Sequence, residues 1–250
     1  MEIKSIEDYH EMSLVASKMI IDRVKKYPNI KLGLATGGTP EGTYQQLIKD
    51  YHENRTSYQG ITTFNLDEYL GLAEEDSNSY HYYMDNHLFD HIDVNKENTF
   101  IPKGDSLNPA EECERYELLL QEKGGVDLQI LGLGSNGHIG FNEPGSSFKS
   151  RTHLVELTPA TREANARFFP SIEDVPKQAI TMGIATIMKS KEILLLISGD
   201  SKKEAVKRLL SGKVSEDFPA SILNQHPNVT ILIDQAAAGS MGTYPMLLMK

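Results

Sequence analysis

Strand-like and helix-like segments alternate along almost the whole chain, and this alternation constrains the fold more than any other feature. The apolar runs at 127–133 and 192–197 are nearly continuous, which is typical of strands buried on both faces. Helical segments with clear end signals separate such runs. The pattern predicts one α/β domain over residues 1–250: a Rossmann-like, three-layer fold with a mostly parallel sheet and helices on both faces.

The sequence predicts five strands and six helices. The strands are expected at 31–35, 61–66, 127–133, 192–197 and 228–233, and the helices at 5–26, 40–54, 77–89, 108–124, 158–169 and 201–210. Thr39 is expected to cap the second helix, with Pro40 at its first position. Ligands of such sheets bind beyond the carboxyl ends of the strands, where the motifs described below lie.

The charge and the cysteine content limit the partners and the compartment. The formal net charge is −10, which repels nucleic acid and anionic membranes, so an anionic substrate needs local cationic groups. The single cysteine, Cys113, cannot form an internal disulfide. The chain starts without a signal-peptide pattern and has no apolar run long enough to span a bilayer, so we expect a cytoplasmic protein.

A glycine turn between a strand and a helix is the first candidate site. Thr36, Gly37, Gly38 and Thr39 follow the apolar residues of the first predicted strand. Glycines let backbone N–H groups approach an anion, and a helix N-terminus adds free donors and positive potential. The segment predicts a phosphate site, although a plain tight turn has the same pattern. It is not a P-loop, because Gly42 is followed by Thr43 and Tyr44.

Two cationic positions are candidates for the same anion. Lys202 lies at the start of a predicted helix, where a cation opposes the helix dipole unless an anion is bound. Arg167 precedes two phenylalanines in another predicted helix. Taken alone, Lys202 is equally compatible with a solvated surface lysine, and Arg167 fits a surface residue better than an anion ligand.

Asp67 and Glu68 are adjacent carboxylates at the end of a buried strand. One of them could act as a general base if it lies near an acidic C–H bond. A carboxylate that caps a helix or forms a turn has the same local pattern.

The segment 132–137 matches G-x-G-x-x-G after a strand, but the residues that follow are typical of a loop and not of a helix. This excludes the dinucleotide-binding interpretation. The loop instead brings Asn136, His138 and Glu143 within eight residues of one another. An imidazole oriented by a carboxylate is a proton-transfer unit, so these three residues are catalytic candidates.

Five segments together resemble the glucosamine-6-phosphate deaminase family. They are 34–40 (LATGGTP), 63–69 (TFNLDEY), 134–144 (GSNGHIGFNEP), 164–169 (ANARFF) and 198–202 (SGDSK). The resemblance extends over nearly the whole chain, and the third motif is the most specific. It implies conversion of glucosamine 6-phosphate and water to fructose 6-phosphate and ammonia, without a metal or redox cofactor.

The resemblance also implies roles for individual residues. Asp67 would move a proton between C2 and C1 of the open-chain sugar. His138, held and polarised by Glu143, would open the sugar ring. The loop 36–39, with Arg167 and Lys202, would bind the phosphate, and the segment 158–177 would act as a mobile lid.

The chain departs from the family pattern at two places. Asn136 stands where many members have aspartate. Members activated by N-acetylglucosamine 6-phosphate have basic residues at the positions of His153 and Val155. We therefore expect no activation by that effector, and a monomer or small homo-oligomer rather than a hexamer.

Two other functions fit the resemblance less well. A 6-phosphogluconolactonase-like hydrolase would need no enolisation base such as Asp67. A non-catalytic sugar-phosphate-sensing domain would not need Asp67, His138 and Glu143 together.

Overall fold

A computed structural model describes residues 1–239, and a seven-stranded sheet forms its centre. The strands are β1 (Glu2–Ile6), β2 (Lys31–Leu34), β3 (Thr62–Asn65), β4 (Asp67–Tyr69), β5 (Thr99–Phe100), β6 (Leu128–Gly132), β7 (His153–Glu156), β8 (Gln178–Thr181), β9 (Glu192–Ile197) and β10 (Val229–Asp234). The α-helices are α1 (Tyr9–Lys26), α2 (Gly38–Asn54), α3 (Tyr80–His87), α4 (Pro109–Glu122), α5 (Pro159–Asn165), α6 (Ile184–Ile187), α7 (Lys203–Leu210) and α8 (Gln235–Ala238). Short 3₁₀ turns occupy Phe89–His91, Lys96–Asn98, Ala166–Phe168, Ile172–Asp174, Asp200–Lys202 and Pro219–Gln225.

The central sheet is parallel throughout, with strand order β1-β10-β9-β6-β2-β3-β5. The chain continues from β2 towards one edge through β3, and from β6 towards the other edge through β9 and β10. The order therefore reverses between the neighbours β2 and β6, where sheets of this kind bind ligands. This arrangement confirms the predicted parallel α/β fold.

Helices cover both faces of the sheet. On one face, α1, α2 and α3 pack through residues such as Ile20, Leu47 and Met84 against the strands. On the other face, α4, α6 and α7 pack through residues such as Tyr116 and Leu209. Each fully buried aliphatic side chain contributes about 1.5–3 kcal/mol relative to an exposed one, so the two layers hold the central strands rigidly.

A second, three-stranded antiparallel sheet (β4-β8-β7) was not expected from the sequence. Its strands have three or four residues, too few for a distinct alternation. Asp67 pairs with Thr181 in this sheet, and His153 pairs with the same threonine from the other side. The small sheet thus holds Asp67 and anchors the start of the segment 158–177.

Several predicted helix boundaries were wrong: the helix predicted over 77–89 spans Tyr80–His87, and the one predicted over 158–169 ends at Asn165. Two further differences change the edge of the sheet and the glycine turn. The helix predicted over 5–26 begins at Tyr9, since Asp8 caps it, and residues 2–6 instead form the edge strand β1. The helix predicted over 40–54 begins at Gly38, with Gly37 and not Thr39 at the N-cap. The earlier start places both glycines of the turn directly at the helix N-terminus.

No helix within residues 1–239 is both long and apolar enough to cross a membrane. The sequence assigns no role to the tail 235–250. Its first residues form α8, and residues 240–250 lie outside the described part of the chain.

Candidate active site

The predicted site residues meet at the carboxyl ends of four neighbouring strands. The glycine turn follows β2, Asp67 follows β3, the loop with His138 follows β6, and the loop with Lys202 follows β9. These strands are adjacent in the order β9-β6-β2-β3 and include the point where the strand order reverses. The parallel sheet therefore brings together residues that are up to 166 positions apart in sequence, from Thr36 to Lys202.

The glycine turn has a backbone geometry that requires glycine at one position. Gly37 has φ of 89°, in the left-handed region that other residues rarely adopt. Two phenols hold the turn, because Tyr9 donates to the Gly38 carbonyl and Tyr83 donates to the Gly37 carbonyl, both at 2.8 Å. The first N–H groups of α2 have no intrahelical acceptor, so the turn offers donors to an anion.

Arg167 lies beside this turn, and Lys202 lies near enough to Arg167 for their charges to interact. The Nη2 atom of Arg167 is 3.9 Å from the position that a Cβ atom would take on Gly38. Lys202 is half-buried, and burial, followed by the charge of Arg167, lowers the pKa of its ammonium group. Within residues 1–239 neither cation forms a salt bridge, whereas the neighbouring Lys203 pairs with Asp200 at 2.6 Å. Two adjacent, unneutralised cations favour binding of an anion.

A buried carboxylate fixes the loop that carries Lys202. Asp234, at the end of β10, accepts a hydrogen bond from the Ser198 hydroxyl and one from the Gly199 N–H at 3.2 Å. It also accepts from the Ala237 N–H at 2.7 Å, as the cap of α8. The loop is thereby tied to a central strand of the sheet.

Asp67 is a buried carboxyl group with only 6% of its surface exposed. Burial and, to a smaller extent, the charge of Glu68 raise its pKa to about 8, which the Phe141 backbone N–H partly opposes. Its Oδ2 atom lies 3.4 Å from the position that a Cβ atom would take on Gly140. Asp67 therefore lies against the loop that carries His138.

Glu68, for which the sequence suggests no role, is a structural residue. Its carboxylate accepts hydrogen bonds from the backbone N–H groups of Tyr69, Tyr80 and His81. Its Oε2 atom is also 2.9 Å from His81 Nδ1. The adjacent carboxylates thus have different functions, since Glu68 holds the N-terminus of α3 while Asp67 remains without a cation partner among the described residues.

Tyr80 is a site residue that the sequence interpretation missed. Its ring packs against that of Tyr69, with the centroids 4.8 Å apart. Burial raises the pKa of its phenol well above the usual value, so the phenol stays protonated, and Asp67 and Thr36 lie near enough to affect that pKa as well. Tyr80 therefore lies near both the glycine turn and Asp67. A lone tyrosine in a helix gives no signal of this position in the sequence.

His138, Asn136 and Glu143 form a compact polar cluster. The Asn136 amide donates to Glu143 Oε2 at 2.6 Å, and its oxygen accepts the His138 N–H at 3.1 Å. His138 Nδ1 lies 3.8 Å from Glu143 Oε1, which is too long for a hydrogen bond. The cluster thus has the predicted members, but Asn136 and not His138 is bonded to the carboxylate.

The imidazole of His138 packs on the backbone of Gly134. A Cβ atom on Gly134 would lie 2.4 Å from the ring, so this position needs glycine. Burial is the main cause that lowers the pKa of His138, and the charge of Lys202 adds to it, while Glu143 acts in the opposite direction. The imidazole is therefore neutral at neutral pH and can both accept and donate a proton.

Thr161, in α5, is the second site residue that the sequence interpretation missed. Its hydroxyl donates to Glu143 Oε1, so the segment 158–177 touches the polar cluster directly.

Residues 1–239 contain no group of three or more histidine, cysteine, aspartate or glutamate side chains arranged to hold a metal ion.

The comparisons with known proteins agree with this arrangement. Residues 9–232 match the family model described as glucosamine-6-phosphate isomerases/6-phosphogluconolactonase. A glucosamine-6-phosphate deaminase of Shouchella clausii is 58% identical over 238 residues, which are 95% of this chain and 96% of that protein. Glucosamine-6-phosphate deaminase 1 of Bacillus subtilis is 57% identical, with 95% and 98% covered.

Solved structures give the same result. A monomeric glucosamine-6-phosphate deaminase superposes with a TM-score of 0.94 at 57% identity, covering 95% of this chain and 99% of that chain. The 6-phosphogluconolactonase of Trypanosoma brucei superposes with a TM-score of 0.74 at 21% identity, covering 94% and 97%, and this likeness concerns the fold alone. The chain belongs to the glucosamine-6-phosphate isomerase/6-phosphogluconolactonase family, and its relatives at 57–58% identity are glucosamine-6-phosphate deaminases.

Proposed function

We propose that this protein converts glucosamine 6-phosphate and water to fructose 6-phosphate and ammonia. The observation that carries the proposal is Asp67, a buried carboxyl group whose pKa is raised to about 8 and which lies against the His138 loop. Tyr80 lies near enough to Asp67 and to Thr36 of the glycine turn for both to affect the pKa of its phenol. A base of this kind, at a distance from an anion site, suits proton removal from a carbon of an anchored sugar phosphate.

The first step is binding of the terminal phosphate. The N–H groups at the start of α2, the Thr36 and Thr39 hydroxyls, Arg167 and Lys202 form the proposed phosphate site. The anion would neutralise the two cations that lie together there and would favour their charged forms. Anchoring one end of the sugar holds the other end near the protein's acid–base groups at high effective concentration.

The second step is ring opening by His138. The neutral imidazole takes the proton of the anomeric hydroxyl and returns a proton to the ring oxygen, so the C1–O5 bond breaks and an open-chain aldehyde forms. Glu143 and Asn136 orient the loop that presents the imidazole.

The third step belongs to Asp67. The ionised carboxylate removes the proton on C2 while the C1 carbonyl oxygen takes up a proton, which gives an enolamine. The carboxyl group then delivers its proton to C1 as the nitrogen loses one, which leaves a 2-imine with a hydroxyl group on C1. Water adds to the imine carbon, the C2–N bond breaks, and ammonia and the ketose phosphate are released. Because water is consumed and a C–N bond is cleaved, we propose a hydrolytic deaminase in which isomerisation and hydrolysis are coupled.

The wider context forms part of the proposal. The reaction suits cytoplasmic breakdown of amino sugars, including N-acetylglucosamine. The chain forms a single isomerase/deaminase domain with a mobile lid at 158–177, and it works as a monomer or small homo-oligomer. The monomeric deaminase structure at 57% identity supports the small assembly.

A substrate comparison tests the activity. Ammonia release is measured with glucosamine 6-phosphate and with glucosamine, and lactone hydrolysis is measured with 6-phosphogluconolactone. We expect ammonia from the phosphorylated amino sugar, little from glucosamine, and no lactone hydrolysis above the spontaneous rate. Lactone hydrolysis without ammonia would replace the proposal with a lactonase, and tight binding without turnover would replace it with a sensor.

A further inference from the structure

Each oxygen of the Glu143 carboxylate accepts a hydrogen bond, but neither bond comes from the imidazole of the neighbouring His138. Its Oε2 atom accepts from the Asn136 amide at 2.6 Å, and its Oε1 atom accepts from the Thr161 hydroxyl. His138 Nδ1, 3.8 Å from the same Oε1, is buried and has no hydrogen-bond partner among the described residues. A buried ring nitrogen without a partner is costly, so this arrangement needs a reason.

Thr161 is held in place by a short chain of hydrogen bonds. The Thr158 hydroxyl caps α5 by accepting the Thr161 N–H at 3.2 Å, and it donates to the Thr161 hydroxyl at 3.1 Å. Since the Thr161 oxygen accepts from Thr158, its own proton is directed at Glu143. Thr161 is only 6% exposed, so water does not readily replace either bond.

The segment that carries Thr161 is the proposed lid. Arg162 ties α5 to the rest of this segment by donating to the carbonyls of Ile172 and Val175. Arg167, one of the two cations at the glycine turn, lies in the 3₁₀ turn directly after α5. A movement of α5 would therefore change the Glu143 contact and the phosphate site together.

We propose that Thr161 is a positioning residue, whose hydroxyl competes with the His138 imidazole for Oε1 of Glu143 and so couples the lid to the proton-transfer group. While the hydroxyl occupies Oε1, the carboxylate is held away from Nδ1. When α5 withdraws the hydroxyl, the Nδ1–H group takes the vacated oxygen. This inference rests on the proposed function for its catalytic meaning, but the competition itself does not depend on it.

The competition has a measurable electrostatic consequence. The charged groups that act on His138 are Glu143, from the same loop, and Lys202, from the start of α7. Glu143 raises the pKa of His138, while Lys202 and burial lower it. Removing the Thr161 hydroxyl frees Oε1 for the imidazole, so the pKa of His138 must rise.

The test is a titration of His138 by NMR in the substrate-free protein with labelled histidine. Wild type is compared with Thr161→Val, which keeps the shape but loses the hydroxyl, and with Thr161→Ser, which keeps the hydroxyl. Thr56→Val is the matched control, because Thr56 is equally buried and its hydroxyl has no partner within residues 1–239. His138→Gln assigns the signal.

We expect the His138 midpoint to move to higher pH in Thr161→Val and to stay at the wild-type value in Thr161→Ser and Thr56→Val. Thr161→Ala carries the same expectation as Thr161→Val and replaces it if the valine variant does not fold. An unchanged midpoint in a folded Thr161→Val or Thr161→Ala protein overturns the proposal. So does an equal shift in Thr56→Val.

A kinetic arm connects the titration to turnover. The kcat/KM of Thr161→Val is divided by that of wild type at pH 6 and again at pH 8.5. Because both proteins contain Asp67, the effect of its titration on kcat/KM cancels in this ratio. We expect the ratio to be several-fold lower at pH 6 than at pH 8.5, and restored in Thr161→Ser. Equal ratios overturn the catalytic coupling. A wild type without ammonia release refutes the proposed function instead, while the NMR titration still tests the competition for Oε1.

Discussion

At Asp67, burial opposes the ionisation of a carboxyl group whose proposed role requires the ionised form. A carboxyl group prefers to be ionised above its ordinary pKa of 3.8, yet burial holds the value at about 8. The folded protein therefore binds a proton at neutral pH that the unfolded chain does not. The site tolerates this cost in stability because it provides a base of matched strength near neutral pH.

This conflict predicts that Asp67→Asn stabilises the protein while it damages the site. The gain in stability vanishes well below pH 3.8, where the carboxyl group is protonated in both states, and it grows as the pH rises towards 8, where the folded carboxyl group also ionises. We expect a gain of up to about 5 kcal/mol at pH 7.5 and of only about 0.2 kcal/mol at pH 3.5. Denaturant unfolding at the two pH values measures it, and an equal effect at both would contradict the raised pKa.

Asn136 allows a second prediction at this scale. Its amide donates to Glu143 at 2.6 Å, and an aspartate there would bring two carboxylates together. Where both carboxylates are ionised, the added negative charge would stabilise the imidazolium of His138 and raise its pKa. We expect Asn136→Asp to retain substantial activity and to shift the acid limb of the pH profile to higher pH. A profile that coincides with that of wild type would exclude an electrostatic role for this position.

At the scale of elements, the loop after β9 depends on a partner in another strand. Asp234 holds the Ser198 and Gly199 groups that precede Lys202. Asparagine can still cap α8, but it cannot accept all of these bonds as a carboxylate does. We expect Asp234→Asn to raise KM for the sugar phosphate by roughly tenfold, since a lost charged hydrogen bond costs about 1.5 kcal/mol.

The matched control for this prediction is Asp93→Asn. Asp93 also holds a backbone turn, through the Ser57 hydroxyl and the Tyr58 N–H, both at 2.6 Å. Its turn precedes β3 and so lies at the amino end of that strand, whereas the site lies at the carboxyl ends. We expect KM to stay at the wild-type value in this variant, and an equal rise in both variants would indicate general loosening instead.

The elements themselves could be predicted where a local pattern was sufficient. The continuous apolar runs of β6 and β9, and the Asn108 cap with Pro109, were confirmed in place. β1 was missed because its short alternation merges with the amphipathic pattern of α1. β4, β7 and β8 were missed because each is short and is defined by pairing with distant strands, which no local pattern encodes.

The same distinction applies to the candidate site. Motifs at strand ends led to the predicted residues, because the carboxyl ends of parallel strands converge in space. Tyr80 and Thr161 were missed because their importance comes from contacts between elements: Tyr80 with the glycine turn, and Thr161 with a carboxylate 18 residues away. The roles assigned to Asp67, His138, Arg167 and Lys202 remain predictions.

At the scale of the whole molecule, we expect a small assembly that does not respond to N-acetylglucosamine 6-phosphate. His153 and Val155, which replace the basic residues expected for such a response, lie in β7. Arg151, just before that strand, donates a hydrogen bond to Glu117 Oε2 at 3.2 Å. We expect light scattering to give a monomer or dimer, and hyperbolic kinetics that N-acetylglucosamine 6-phosphate does not alter. Sigmoidal kinetics relieved by that effector would refute this prediction.

The central claim is that a buried carboxylate at position 67 moves a carbon-bound proton of an anchored amino-sugar phosphate. The most direct measurement is ammonia release from saturating glucosamine 6-phosphate, with wild type and Asp67→Asn assayed side by side at pH 8. The account predicts steady release by the wild type and a loss of at least about 10²-fold in kcat for the folded variant, because amide cannot act as the base. Comparable rates for the two proteins would contradict it.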